Sequence, residues 1–183
     1  MTTENSVRIR AANLKYEVHR NVGACLSPHN AYLQNLRLET LQLRVEKSCS
    51  NAVKISNSLP YMKKVKNVNY PGLPGGDSKE LSDKYFQEKP GSIITFELES
   101  RDACFEFMDN LHLIRKSTNI HDNRTLIIHP ASTIFSEYPE EERKNLGVSD
   151  SMIRLSVGIE GVDDLIGDIR QALNKQGVGR NVE

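Results

Sequence analysis

The sequence predicts an α+β fold, a small and largely antiparallel sheet covered on one side by helices. Three observations predict it. Helical patterns fill residues 1–60 before any strand pattern occurs. Short strand and helix patterns then alternate, with neither G-x-G-x-x-G nor G-x-x-x-x-G-K among them. The clearest strand, Met152 to Gly158, runs straight into a strongly amphipathic helix.

Taken in order, Val7, Ala11, Leu14 and Val18 form a helical stripe, which predicts a first helix from about Ser6 to Val22 with a stop at Gly23. Ser27-Pro28 is a hydroxyl cap followed by proline at the first helical position. A long helical region follows from His29 to Leu59, with a kink near Arg37 and an apolar stripe of Leu41, Val45, Cys49, Ala52, Val53 and Ser56. Pro60 ends it. Residues 1–60 thus read as a helical segment and 61–183 as an α+β layer, one domain together.

Lys64 to Tyr70 reads as a strand, and Pro71 to Gly76 as a loop. Asp77 with Glu80 predicts a capping box for a helix to about Phe86. Ser92 to Glu99 is a strand, and Ser100 caps a helix whose apolar face includes Phe105, Met108 and Leu111. Leu113 to Lys116 and Thr125 to His129 are shorter strands around a polar loop, residues 117–124. Glu140 to Asn145 is a helical turn or two before Leu146-Gly147. In the last strand Ile153, Leu155 and Val157 alternate with Met152, Arg154 and Ser156. The closing helix, to about Asn174, presents Val162, Leu165, Ile166, Ile169 and Leu173 on one face, with Asp163 and Asp164 at its positive end.

Arg154 is the odd residue. A guanidinium in a short apolar strand is costly to bury unpaired. Two readings stand side by side: a salt bridge to one of the chain's own acids, or bidentate capture of a ligand carboxylate.

Bulk properties exclude several classes. Lys plus Arg and Asp plus Glu balance at 24 each, which gives no support for nucleic-acid binding. No apolar run approaches membrane-spanning length, and Met1 to Arg10 lacks the apolar stretch of a signal peptide. Cys25, Cys49 and Cys104 are widely spaced and odd in number, and read as small core residues in a reducing cytoplasm. His112, His121 and His129 with Asp122 lack metal-ligand spacing. His129 reads as a structural strand-end residue, Ser132 and Thr133 as turn hydroxyls, and Lys63, Lys64 and Lys66 as a solvated face.

Several stretches, in order, resemble the Cys/Met-metabolism pyridoxal-phosphate (PLP)-dependent enzymes. They are Gly23 to Leu33 (GACLSPHNAYL), Leu38 to Leu41 with Leu43-Arg44, and Val68 to Leu73 (VNYPGL). His129 to Thr133 (HPAST), Leu146 to Ser149 (LGVS) and Ile153 to Glu160 (IRLSVGIE) continue the series. The loop Asn119-Ile120-His121-Asp122 with Thr125-Leu126 looks most like O-acetylhomoserine sulfhydrylases.

The resemblance implies the C-terminal small domain of the fold-type-I PLP transferase fold, with N-terminal connecting helices in residues 1–60. It implies that Arg154 holds the substrate α-carboxylate and that Asn119 is a second donor beside it, whose alternative reading is an ordinary loop-capping asparagine. In whole enzymes of this kind the cofactor accepts the amino-acid substrate, acetate leaves by γ-elimination and a sulfur nucleophile adds. The family's larger first domain carries the Schiff-base lysine, the ring-stacking tyrosine, the pyridine-nitrogen aspartate and the phosphate loop, and none has a counterpart in these 183 residues. No catalytic residue and no PLP binding are therefore expected of this chain alone. Were PLP to bind, Lys15, Lys54 and Lys116 are the lysines to test. The expected partner is a PLP-binding half or a second copy, and the chain is a fragment, a truncated product or one half of a split enzyme. The start Met1-Thr2-Thr3-Glu4-Asn5 suits a real short reading frame. A non-catalytic interaction or self-assembly domain is the alternative. Three positions depart from the family: His121 where glycine is usual, Arg37 in place of a glycine, and Phe135 where histidine is common.

Overall fold

The computed structural model describes residues 3–15, 23, 25–76, 78–87 and 89–175. Packing divides the chain into two units, one running to Leu41 and one beginning at Gln42.

The first unit holds α1 (Thr3–Asn13) and α2 (Pro28–Glu39). Helix α1 starts earlier than its stripe predicts, and a wider π turn at Leu14 and Lys15 follows it. Val18 and the rest of residues 16–22 lie outside the described residues. Val7 and Leu14 are exposed. The Ser27 Oγ accepts from the Asn30 N–H at 3.2 Å and Pro28 opens α2, so the cap acts as the sequence predicts. No residue of α2 is buried.

The long helical region is broken at Thr40, not at Arg37. The Thr40 N–H turns back to the Leu38 carbonyl, and a short-range bond of that kind tightens a helix end and stops it. Helix α3 (Leu41–Ser58) follows, and only its second half is covered: Cys49, Asn51, Ala52, Ile55 and Ser56 are buried, whereas Leu41 and Val45 are exposed. Because Ala52, Ile55 and Leu59 share the core of the sheet, the packing boundary falls after Leu41 rather than after residue 60.

The second unit continues with β1 (Asn67–Asn69), α4 (Lys79–Phe86), β2 (Ile93–Glu97), α5 (Arg101–Asp109), β3 (Arg115–Lys116), β4 (Leu126–Ile128), α6 (Glu140–Asn145), β5 (Met152–Ser156) and α7 (Val162–Lys175). The predicted cap Asp77 lies outside the described residues, and Ser78 precedes α4 without a side-chain cap bond. Ser100 does cap α5, accepting from the Ala103 N–H at 3.2 Å. The face of α5 that turns inward is Cys104, Phe107 and Met108; Phe105 is only half-buried.

The five strands are ordered β1-β2-β5-β4-β3. Pairs β1–β2, β2–β5 and β5–β4 are antiparallel, and β3–β4 is parallel. Among the described residues this is an α+β chain with a mixed sheet and seven α-helices. One sheet face, with Ile94, Phe96, Ile127, Ile153 and Leu155, packs against Ile55 of α3, Phe107 of α5 and Leu165 and Ile169 of α7. Each such side chain contributes roughly 1.5–3 kcal/mol by leaving water. The opposite face carries Asn67, Asn69, Thr95, Glu97, Met152 and Arg154, none of them buried, and, toward β4, the buried Ser156, Leu126 and Ile128.

Asp168 of α7 is a buried carboxylate that its helical pattern did not single out. It accepts main-chain N–H groups of His112, Leu113 and Ile114 at 2.9–3.0 Å and the Gln171 amide at 3.0 Å. Burial alone would raise its pKa, but these donors together hold it below the ordinary carboxylate value.

Candidate carboxylate site

The period of two puts Arg154 on the open face of β5, opposite Thr95 of β2 and Ile128 of β4. Its guanidinium is half-buried. Nη2 donates to the Thr118 carbonyl at 2.7 Å, and the Asn119 carbonyl lies at 3.5 Å, too far for more than a weak contact. Nε is buried and has no hydrogen-bond partner. Among the described residues no carboxylate pairs with Arg154. Glu97, one rung away, accepts from the Ser149 hydroxyl instead. Burial lowers the Arg154 pKa, yet guanidinium stays charged in proteins. A half-buried cation with an unused N–H is a donor set suited to an anion with two oxygens.

The loop beside it follows from sheet topology. Strands β3 and β4 are parallel neighbours, so residues 117–125 must carry the chain back along the sheet. They do so against the open face. Besides the Arg154–Thr118 bond, the His121 N–H donates to Ser156 Oγ at 2.9 Å, and the His121 Nδ1 lies 3.2 Å from Ser92 Oγ. His121 has φ +55°, the left-handed region, so the chain does bend there as it would for glycine. Asp122 caps the next turn by accepting from the Arg124 N–H at 2.9 Å. Asn119 is exposed; the contact that brings it toward Arg154 is through its main chain.

A buried frame fixes the end of β5. Asn51 Nδ2 donates to the carbonyls of Gly158 and Glu160 at 3.0 and 2.9 Å. Glu160 accepts from the Thr125 N–H and hydroxyl, and Thr125 Oγ1 accepts from the Gly158 N–H. A Cβ at Gly158 would lie 2.4 Å from the Asn123 carbonyl oxygen, so only glycine fits. Sequence reasoning missed Asn51, Thr125 and Ser156. The available signal was a polar residue inside an apolar stripe for Asn51, and the shared strand face with Arg154 for Ser156.

Other predicted residues fall elsewhere in the structure. The His129 Nε2–H donates to the Asp150 carbonyl at 2.8 Å, which leaves Nδ1 to accept from Ser132 Oγ at 2.9 Å. Thr133 Oγ1 donates to the His129 carbonyl at 2.8 Å. Both therefore act in the turn after β4. His112 meets Lys175, not the other histidines. Cys49 and Cys104 are buried, and burial pushes the Cys104 thiol up to about 12. Cys25 is exposed, a correction to its reading as a core residue: the first unit buries none of its described side chains.

A cleft of about 430 Å³ opens on the same sheet face, lined by Asn67, Asn69, Thr95, Glu97 and Met152 among others. The residues present do not fit PLP. A Schiff-base lysine has to be desolvated to be a nucleophile near neutral pH. Among the described residues no lysine is buried, and Lys79, Lys89, Lys116 and Lys144 are ion-paired to acids.

The class the fold defines is an α+β layer, one mixed sheet backed by helices on one face, with a half-buried arginine on the other. Residues 5–174 match the family described as Cys/Met metabolism PLP-dependent enzyme, and the chain belongs to that family. It is 42% identical over 155 residues to O-acetyl-L-homoserine sulfhydrylase 1 of Thermus thermophilus, covering 84% of this chain and 37% of that protein. It is 40% identical over 153 residues to L-methionine gamma-lyase of Porphyromonas gingivalis, covering 83% and 38%. Among solved structures it resembles O-acetylhomoserine sulfhydrylase of Wolinella succinogenes, with a TM-score of 0.72, 47% identity, and coverage of 88% of this chain and 43% of that one. The chain thus spans about two fifths of the length of the relatives it matches.

Proposed function

We propose that this chain is the C-terminal, substrate-carboxylate-binding part of a PLP-dependent O-acetylhomoserine sulfhydrylase or related trans-sulfuration enzyme. Arg154 holds the α-carboxylate of the amino-acid substrate and Asn119 supplies a second donor from the neighbouring loop. The observation that carries this reading is the unpaired Nε of a half-buried Arg154, with no carboxylate paired to it among the described residues. The substrate class follows from the relatives. The chain orients substrate and does not perform the chemistry, because its lysines do not fit the cofactor. Catalysis then needs a partner that supplies a PLP site, and the complete reaction belongs to the pair. The place of action is the cytoplasm, in keeping with three cysteines that are all thiols. Among the described residues no helix is long and apolar enough to cross a membrane.

The test is turnover. The chain supplied with PLP, O-acetyl-L-homoserine and sulfide is expected to release no acetate above the protein-free rate. Release that scales with chain concentration would overturn the reading.

A second reading rests on a different observation. Tyr32, Leu33, Leu36 and Leu38 of α2 are all exposed, and an amphipathic helix with nothing buried is suited to association. In that reading the chain is a non-catalytic interaction or self-assembly domain. The two readings agree if what α2 meets is the PLP-binding partner.

A further inference from the structure

We propose that His121 is a positioning residue for the carboxylate site, clamping the β3–β4 loop so that Thr118 and Asn119 sit against Arg154; this rests on the reading of Arg154 as the carboxylate anchor. Three observations carry it. His121 makes two bonds to the sheet and its edge: its N–H donates to Ser156 Oγ at the end of β5, and its ring Nδ1 meets Ser92 Oγ in the residue just before β2. Both serine side chains belong to buried residues, so the loop is tied to the sheet and not to other loop atoms. His121 keeps φ +55°, which glycine adopts freely and other residues adopt in only a few per cent of cases. The ring is not held there by core packing, since His121 is exposed. The bonds to the two serines hold this turn, and the loop they fix reaches Arg154 two and three residues upstream.

Glycine and asparagine at this position separate the roles. Glycine relaxes the backbone and removes the ring. Asparagine tolerates the left-handed region and places a polar atom as many bonds from Cα as the histidine Nδ1. The experiment compares the full chain with His121→Gly and His121→Asn. It follows hydrogen exchange of the 118–124 amides and of the Arg154 Nε–H by NMR, the thermal midpoint, and the Arg154 Nε–H shift on adding O-acetyl-L-homoserine. His121→Gly is expected to keep the wild-type midpoint or exceed it, yet to speed exchange across the loop at least about tenfold. His121→Asn is expected to restore slow exchange. A purely structural residue would move exchange and midpoint together. Wild-type exchange in His121→Gly would overturn the clamp, as would fast exchange in His121→Asn equal to that of the glycine variant. If the wild-type Arg154 signal ignores the amino acid while the exchange pattern holds, the clamp stands and the carboxylate reading falls. If the signal responds and the exchange pattern fails, the reverse is true.

Discussion

Arg154 is expensive where it stands. Its Nε is buried without a partner, and an unsatisfied buried donor costs about 1–3 kcal/mol. Replacing it removes that cost along with the bond to Thr118. Arg154→Met is therefore expected to shift stability by no more than about 1 kcal/mol by urea unfolding, in either direction, while abolishing any response to amino-acid carboxylates. Asp168 behaves in the opposite way. Its pKa is lowered in the folded chain, so its contribution is complete at neutral pH. That contribution begins to fall as pH drops through the ordinary value of 3.8 and is gone below the folded value. Asp168→Asn should cost roughly 1–3 kcal/mol at pH 7, where three main-chain donors then face a poorer acceptor, and less at about pH 3, below the ordinary value. Urea unfolding of both proteins at the two pH values checks this. At the residue scale the sequence displayed Arg154 clearly, because a cation among Ile153, Leu155 and Val157 breaks the pattern. It hid Asp168, whose partners are main-chain groups 54–56 residues away.

Elements were legible where period and cap agree. Helix α6 has the predicted bounds, Glu140–Asn145, and β5 and α7 match their patterns closely. Ser27-Pro28 and Ser100 start helices as their chemistry requires. Strands β1 and β2 are shorter than their apolar patterns, since pairing, not propensity, sets a strand's length. The break at Thr40 was misplaced because no proline or glycine marks it. Helix α2 carries a prediction of its own. With Tyr32, Leu33 and Leu36 exposed on it, the chain is expected to self-associate as its concentration rises. Leu36→Glu should shift sedimentation toward the monomer. A wild-type chain that stays monomeric at high concentration would remove the self-assembly reading.

At the scale of the molecule, the proposed function rests on an asymmetry of the sheet. One face is closed by α3, α5 and α7; the other keeps a polar row over β1, β2 and β5, with Arg154 on the middle strand, beside buried Leu126 and Ile128 of β4. Alternation in the sequence predicted two unlike faces. It gave no hint that β3 and β4 run parallel, which is what brings the 117–125 loop over the open face. That pairing is a long-range fact, and the loop's polar composition alone leaves its path open. The chain covers about two fifths of its relatives' lengths. The central claim is therefore that Arg154 waits for a carboxylate. It is tested most directly by titrating O-acetyl-L-homoserine into the labelled chain and following the Arg154 Nε–H signal. A saturable shift at Arg154, absent when the carboxylate is replaced by its amide, is the predicted result. An Arg154 signal that does not move at any concentration would contradict the account.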